Sequence, residues 1–228
     1  MLKLVVFDLD ETLAVTGQAM LQENIELLKN LEEKGVTIAV CSGKPTYYLC
    51  GFMRQIGLKF PILLGENGST AQFGIDLPPK QFYTLPYSEA ARDSLLYIKK
   101  EIDKAVPGIW YQPNEVGVTP FPRSADEFEL IAGILKENEA MLYDVEIYRH
   151  ADSFDIVPKG ISKKKGLQKL GEVLGVSPQE MAAVGDGVND YPMFEYAGLA
   201  VGVNVKDKEK VDRNFGTLKE ALEFLQHK

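Results

Sequence analysis

The stretch Lys3-Leu4-Val5-Val6-Phe7-Asp8-Leu9-Asp10-Glu11-Thr12 runs from unbroken apolar residues straight into two carboxylates. Four consecutive apolar residues without alternation fit a parallel strand buried on both faces. The carboxyl end of such a strand is where an open α/β sheet places its ligand crevice. Alternate side chains of an extended chain share a face, so Asp8 and Asp10 aim into one site if strand geometry persists to Asp10. Two like charges that close are costly unless a cation or a shared proton relieves them. Taken alone, the pair could also be a polar turn that ends a strand.

The flanking sequence supplies a sheet for this strand. Residues 18–34 carry Leu21, Ile25, Leu28 and Leu31 at helical spacing and stop at Gly35, as a helix C-terminus does. Val36–Cys41 reads as a second strand, Pro45 opens a helix that runs to Gly57, and Pro61–Leu64 is a third strand. The rhythm returns after Ser162: a helix with Leu167, Leu170 and Leu174 on one face, a strand Met181–Val184 ending in Gly185-Asp186, a strand Leu199–Val203, and a closing helix marked by Leu218, Leu222 and Leu225. Strands alternating with helices specify an α/β fold, a Rossmann-like doubly wound parallel sheet.

Between these halves the pattern changes. Helices over 88–105 and 124–138 are each followed by two short strands, at 109–112 and 116–119, then at 145–148 and 154–157. Helix-strand-strand repeated twice (αββαββ) makes a compact inserted α+β domain with two helices on a four-stranded antiparallel sheet. The expected organisation is a core of residues 1–76 plus 159–228, with the insert over 77–158.

Bulk properties exclude some partners. The chain has 228 residues, 45% hydrophobic and 25% charged, and a net charge of −8. That acidity argues against nucleic acid, which needs a basic surface. No apolar run approaches the roughly 18 residues of a membrane helix, so no membrane partner is expected. Only four apolar residues separate Lys3 from Asp8, too few for a signal peptide. Two cysteines, Cys41 and Cys50, in no metal-binding spacing suit a reducing cytoplasmic compartment.

Four fragments fall at predicted strand or helix ends of the core: Asp8/Asp10, Ser42-Gly43-Lys44, Lys163, and Gly185-Asp186-Gly187-Val188-Asn189-Asp190. Together they supply carboxylates, a hydroxyl, an ammonium and a glycine-rich turn. Hard oxygen ligands beside a lysine suit Mg²⁺, and backbone N–H groups at helix starts hold phosphate oxygens. Ser42 alone is more often a helix N-cap than a phosphate ligand, and Lys164 and Lys165 are rivals of Lys163.

The order Asp-Leu-Asp-x-Thr, Ser-Gly, Lys, Gly-Asp-Gly-x-Asn-Asp resembles the haloacid dehalogenase (HAD) superfamily of aspartyl phosphatases. The insert resembles a type-2 cap, and Gly65-Glu66-Asn67-Gly68 with Lys159-Gly160-Ile161-Ser162-Lys163 is similar to the Cof-type (IIB) branch. The small insert is closer to archaeal-type phosphoglycolate phosphatases than to long-capped sugar phosphatases. Asn67-Gly68 could also be only a hairpin turn.

The resemblance implies a Mg²⁺-dependent phosphomonoesterase, acting on a small phosphorylated metabolite as a monomer or homodimer. It implies Asp8 as nucleophile, Asp10 as general acid and base, and Thr12 as a loop brace. Ser42, Gly43, Lys163 and Asn189 fall on the phosphate or substrate side. The metal falls to Asp8, the Asp10 backbone carbonyl, Asp186 and Asp190. The family's usual glycine is Glu11 here, and that side chain is expected to point away from the metal. Insert residues expected near the leaving group are Asn114, Glu115, Arg123, Arg149 and His150. Two other classes share such a site: a phosphotransferase of phosphomannomutase type, and a receiver-like signalling module. The acid/base Asp10 and the insert argue against the signalling module, which needs neither.

Overall fold

The computed structural model describes residues 1–228, which separate into two compact units, Met1–Tyr83 with Ser162–Lys228, and Thr84–Ile161. The elements of the first unit up to the insertion are β1 (Leu4–Phe7), α1 (Gln22–Glu33), β2 (Thr37–Cys41), α2 (Thr46–Ile56), β3 (Ile62–Gly65), β4 (Thr70–Phe73) and β5 (Gln81–Thr84). The second unit holds α3 (Glu89–Ala105), β6 (Trp110–Gln112), β7 (Thr119–Phe121), α4 (Ala125–Glu137), β8 (Val145–Arg149) and β9 (Phe154–Pro158). The chain then completes the first unit with α5 (Lys163–Leu174), β10 (Met181–Gly185), α6 (Tyr191–Phe194), β11 (Leu199–Val203), β12 (Arg213–Phe215) and α7 (Leu218–Leu225).

The first unit is built on one eight-stranded sheet in the order β12-β11-β10-β1-β2-β3-β4-β5. Strands β12 through β3 are parallel, and β4 turns back antiparallel on β3. The period of two explains why the strands are apolar throughout. Val5, Phe7, Ile38, Val40, Leu63 and Val184 enter one core, against α1, α2 and α7. Their neighbours Leu4, Val6, Ala39, Leu64 and Ala183 enter the other, against α5 and α6.

Strand β1 lies between β2 and β10, the point where the winding direction reverses. Phe7 is level with Val40 on one side and Val184 on the other. The residues that follow these three strands therefore emerge side by side, where ligand sites in open α/β sheets form.

Three strands lie outside the sequence reading. β4 follows a tight turn after β3, while β5 and β12 are short edge strands with mostly exposed or half-buried side chains. Because β5 keeps residues 77–83 with the first sheet, the chain leaves that unit later than the composition change suggests. Helix α1 starts at Gln22, after Gly17 with φ of 79° breaks the regular backbone.

In the second unit, β6 pairs with β7 and β8 with β9, both antiparallel. Val118 and Ile156 exchange backbone hydrogen bonds of 2.9 and 3.0 Å, which joins the two hairpins in the order β6-β7-β9-β8. Ile98 and Ile102 of α3, Ile131 of α4, and Phe154 and Ile156 of β9 make its core. Ser88 and Ser124 cap α3 and α4 by accepting from Ala91 N and Glu127 N. No helix of the chain is long and apolar enough to cross a membrane.

Candidate active site

Asp8 follows the last residue of β1, and its backbone N–H donates to Val184 O of β10 at 2.8 Å. Regular strand geometry ends at Phe7, so Asp8 and Asp10 do not share one environment. Asp8 is buried, whereas the Asp10 side chain is 38% exposed. Between them and Thr12 the backbone turns sharply: Leu13 N and Ala14 N both donate to Leu9 O.

Lys163 opens α5 and is 2% exposed. Its Nζ donates to Asp8 Oδ1 at 2.5 Å and to Asp190 Oδ1 at 2.6 Å. Its rivals face outward: Lys164 and Lys165 are half-buried or exposed, and Lys164 meets Glu195 at 3.4 Å. Helix phase makes the choice, because only the first of the three lysines points inward toward the strand ends.

Asp190 is fully buried and uses both oxygens. Oδ1 holds Lys163, and Oδ2 accepts from Asp186 N at 3.0 Å and Gly187 N at 3.1 Å. A Cβ at Gly185 would collide with the Asp190 carboxylate, so only glycine fits there. Asp186 is half-buried and its Oδ1 accepts from Thr12 Oγ1 at 3.0 Å, the brace expected of Thr12. Asn189 is exposed on the same turn, beside Gly187. Carboxylate oxygens of Asp8, Asp186 and Asp190 all lie within 4.8 Å of one another.

Two buried carboxylates around one ammonium leave an excess negative charge. Burial pushes the Asp8 carboxyl up to about 7, with Lys163 pulling down and Asp190 adding to the rise. Burial alone would lower the Lys163 ammonium, but the charges of Asp8 and Asp190 outweigh it and raise its pKa. Asp186 is also raised, by burial first, then opposed by the Thr12 hydroxyl. The donor set is hard oxygen, preassembled and under-compensated, which fits a divalent cation such as Mg²⁺.

Ser42 follows the last residue of β2 and is buried. Its N–H donates to Leu64 O, its carbonyl accepts from Asn67 N at 2.9 Å, and its Oγ accepts from Lys44 N at 3.2 Å. Gly43 lies beside the Asn67 amide. Glu11 takes φ of 61°, the left-handed backbone for which glycine is favoured, and Glu11 Oε1 accepts from Thr16 N at 3.1 Å. The side chain therefore turns back to its own loop, though its charge still contributes to the rise at Asp186.

Gly65–Gly68 is a hairpin turn, joining β3 to β4, and it is also a contact point for α5. Gly68 has φ of 88°, and a Cβ on it would stand 2.8 Å from Gly166 Cα. Gly166 lies one turn beyond Lys163 on α5. Gly68→Ala is expected to cost about 2–4 kcal/mol, from left-handed backbone and overpacking together. Urea unfolding measures that loss, and turnover should fall with it as α5 is displaced.

Four of the insert candidates, Asn114, Arg123, Arg149 and His150, are partnered within their own unit. Asn114 joins Gln112 to Thr119, Thr119 Oγ1 donates to Asp155 at 2.7 Å, and His150 lies 3.1 Å from the other Asp155 oxygen. Arg149 stacks 4.6 Å over the Phe128 ring and pairs with Glu129, while Arg123 Nη2 donates to Gly108 O.

Comparison with known proteins agrees with this geometry. The haloacid dehalogenase-like hydrolase family profile matches residues 5–121 and 112–211. A phosphoglycolate phosphatase of Methanoculleus marisnigri is 27% identical over 207 residues, covering 89% of this chain and 84% of its own. A longer Streptococcus pyogenes protein is 24% identical over 92% of this chain, and its name pairs a phosphatase with a peptidyl-prolyl cis-trans isomerase; the chain spans 50% of its length. Among solved structures, a haloacid dehalogenase-like hydrolase from Bacteroides thetaiotaomicron superposes with a TM-score of 0.79 at 20% identity, over 99% of this chain and all of that one. A HAD subclass IIB sugar phosphatase gives 0.71 at 18% identity, over 98% of each chain. The family match spans well over half of the residues, and the Asp8, Ser42 and Asp186 fragments follow neighbouring strands while Lys163 reaches Asp8 from the start of α5: this chain belongs to the haloacid dehalogenase-like hydrolases.

Proposed function

We propose that the chain is a Mg²⁺-dependent phosphomonoesterase that passes the phosphoryl group through Asp8. The observation that carries this reading is the buried Asp8–Lys163–Asp190 triad beside Asp186. The Lys163 bond fixes the Asp8 carboxylate and offsets charge on an incoming phosphate, as positioned cations do in phosphoryl transfer. An Asp8 oxygen attacks phosphorus, the ester P–O bond breaks, and the leaving oxygen takes a proton from Asp10. Asp10, now a base, removes a proton from water; the water oxygen attacks phosphorus and restores the Asp8 carboxylate, releasing phosphate.

Ser42 Oγ already accepts from Lys44 N, which leaves its O–H to donate to a phosphoryl oxygen. Asp8, Asp186 and the Asp10 carbonyl would hold Mg²⁺, which supplies charge neutralisation and a template when bound. Asp190 serves chiefly to anchor Lys163 and close the turn, because its oxygens are engaged. The inserted unit takes the role of a type-2 cap that selects the leaving group.

Relatives named phosphoglycolate phosphatase, and a IIB sugar phosphatase of the same fold, support a small phosphorylated substrate, with phosphoglycolate first and sugar phosphates next. The test is phosphate release from a panel of phosphometabolites, ranked by kcat/KM. Removing Mg²⁺ with a chelator should lower turnover about 10²-fold or more, with recovery on adding it back. Transfer of phosphate to a sugar, without free phosphate, would replace the hydrolytic reading by phosphotransfer.

A further inference from the structure

Lys163 carries the buried positive charge of the site, but that charge is already shared between two carboxylates. Lys44 is differently placed. Its side chain is 36% exposed, and its Nζ stands 3.9 Å from Asp10 Oδ2. So loose a pair between exposed groups is weak and exchangeable. The ammonium stays near the mouth of the site without being consumed there.

The Lys44 backbone, by contrast, is pinned. Its N–H donates to Ser42 Oγ at 3.2 Å and its carbonyl accepts from Glu66 N at 3.0 Å. A Cβ at Gly65 would fall 3.0 Å from Lys44 O and 2.7 Å from Thr46 N, so the two loops close only over a glycine. Glu66 and Asn67 hold φ of 50° and 57°, left-handed backbone that asparagine visits readily but that is strained for glutamate. The hydrolytic steps above make no use of this strained turn, yet it fixes where Lys44 leaves the backbone.

Asp10 marks the side of the site from which the leaving oxygen takes its proton. A cation beside Asp10 therefore faces the leaving group, not the phosphoryl oxygens held near Asp8 and Ser42. The four aspartates of that site (Asp8, Asp10, Asp186, Asp190) outnumber the one buried cation, Lys163, and disfavour a negatively charged leaving group. Resting on the phosphatase reading, we infer that Lys44 is a specificity residue: its ammonium contacts a carboxylate on the leaving group and so favours carboxylated phosphomonoesters over neutral ones of the same shape.

The experiment compares 2-phosphoglycolate with its neutral isostere, phosphoglycolamide, in the wild-type chain, Lys44→Met and Lys44→Arg, all with Mg²⁺. Wild type should prefer the carboxylate. In Lys44→Met the ratio of the two kcat/KM values should fall about tenfold or more, chiefly through KM of the carboxylate, as expected for loss of a charged contact. Lys44→Arg should keep the ratio within about threefold, since it preserves the charge. Equal slowing of both esters in Lys44→Met, or no wild-type preference, overturns the inference and leaves the phosphatase reading intact. A wild-type chain that hydrolyses no phosphomonoester overturns both.

Discussion

Asp8→Asn is expected to lower kcat for any phosphomonoester by at least about 10⁴-fold, because it removes the attacking carboxylate and not merely a contact. The amide is nearly isosteric, and its oxygen can still accept from Lys163, so the fold should survive. Trapping of a phosphorylated enzyme should be lost together with phosphate release. Stability sharpens the test. The Asp8 carboxyl is raised from 3.8 to about 7, so the native state without metal binds its proton more tightly than the unfolded chain. The stability from this group is then fully present below about pH 4 and is lost as pH rises through about 7. Asp8→Asn should flatten that part of the pH dependence when Mg²⁺ is chelated, as read by thermal unfolding. Retained turnover in a folded Asp8→Asn chain would remove Asp8 from its role.

Lys163→Met should destabilise the chain more than any other substitution in the site. It strips the ammonium from between Asp8 and Asp190 while keeping the volume, leaving two buried carboxylates with no cation. Breaking a buried pair in this way costs about 3–5 kcal/mol. The loss should be largest with chelator at pH 8. It should shrink with added Mg²⁺, and again near pH 5, where Asp8 takes up a proton. Urea unfolding under these three conditions separates the charge effect from a packing defect, which would not respond to metal or pH. Unchanged stability at pH 8 would mean that the triad is not the charge centre of the site.

Much of this was legible in sequence because it is local. The continuous apolar runs at Leu4–Phe7 and Met181–Val184 announce strands covered on both faces, and the acidic and glycine-rich residues just beyond them mark the crevice. Edge strands were not legible. Arg213–Phe215 and Gln81–Thr84 bury little, so pairing with a neighbour, not an apolar pattern, makes them strands. Asp10 would share a face with Asp8 only if the strand persisted to it; β1 ends at Phe7, and the Asp10 carboxylate lies 3.9 Å from Lys44.

By itself, then, the chain determined the order of the buried parallel strands, the alternation that feeds two cores, and the chemical groups offered at their ends. Motif order points to Lys163, but only the tertiary structure buries it and leaves Lys164 and Lys165 at the surface, since that depends on the rotation of α5 against residues some 100 positions away at Gly68. It also decided that Lys44 stays half-free beside Asp10 while Lys163 is locked. Burial and charge pairing are properties of what surrounds a residue, and for both lysines the surroundings come from distant parts of the chain.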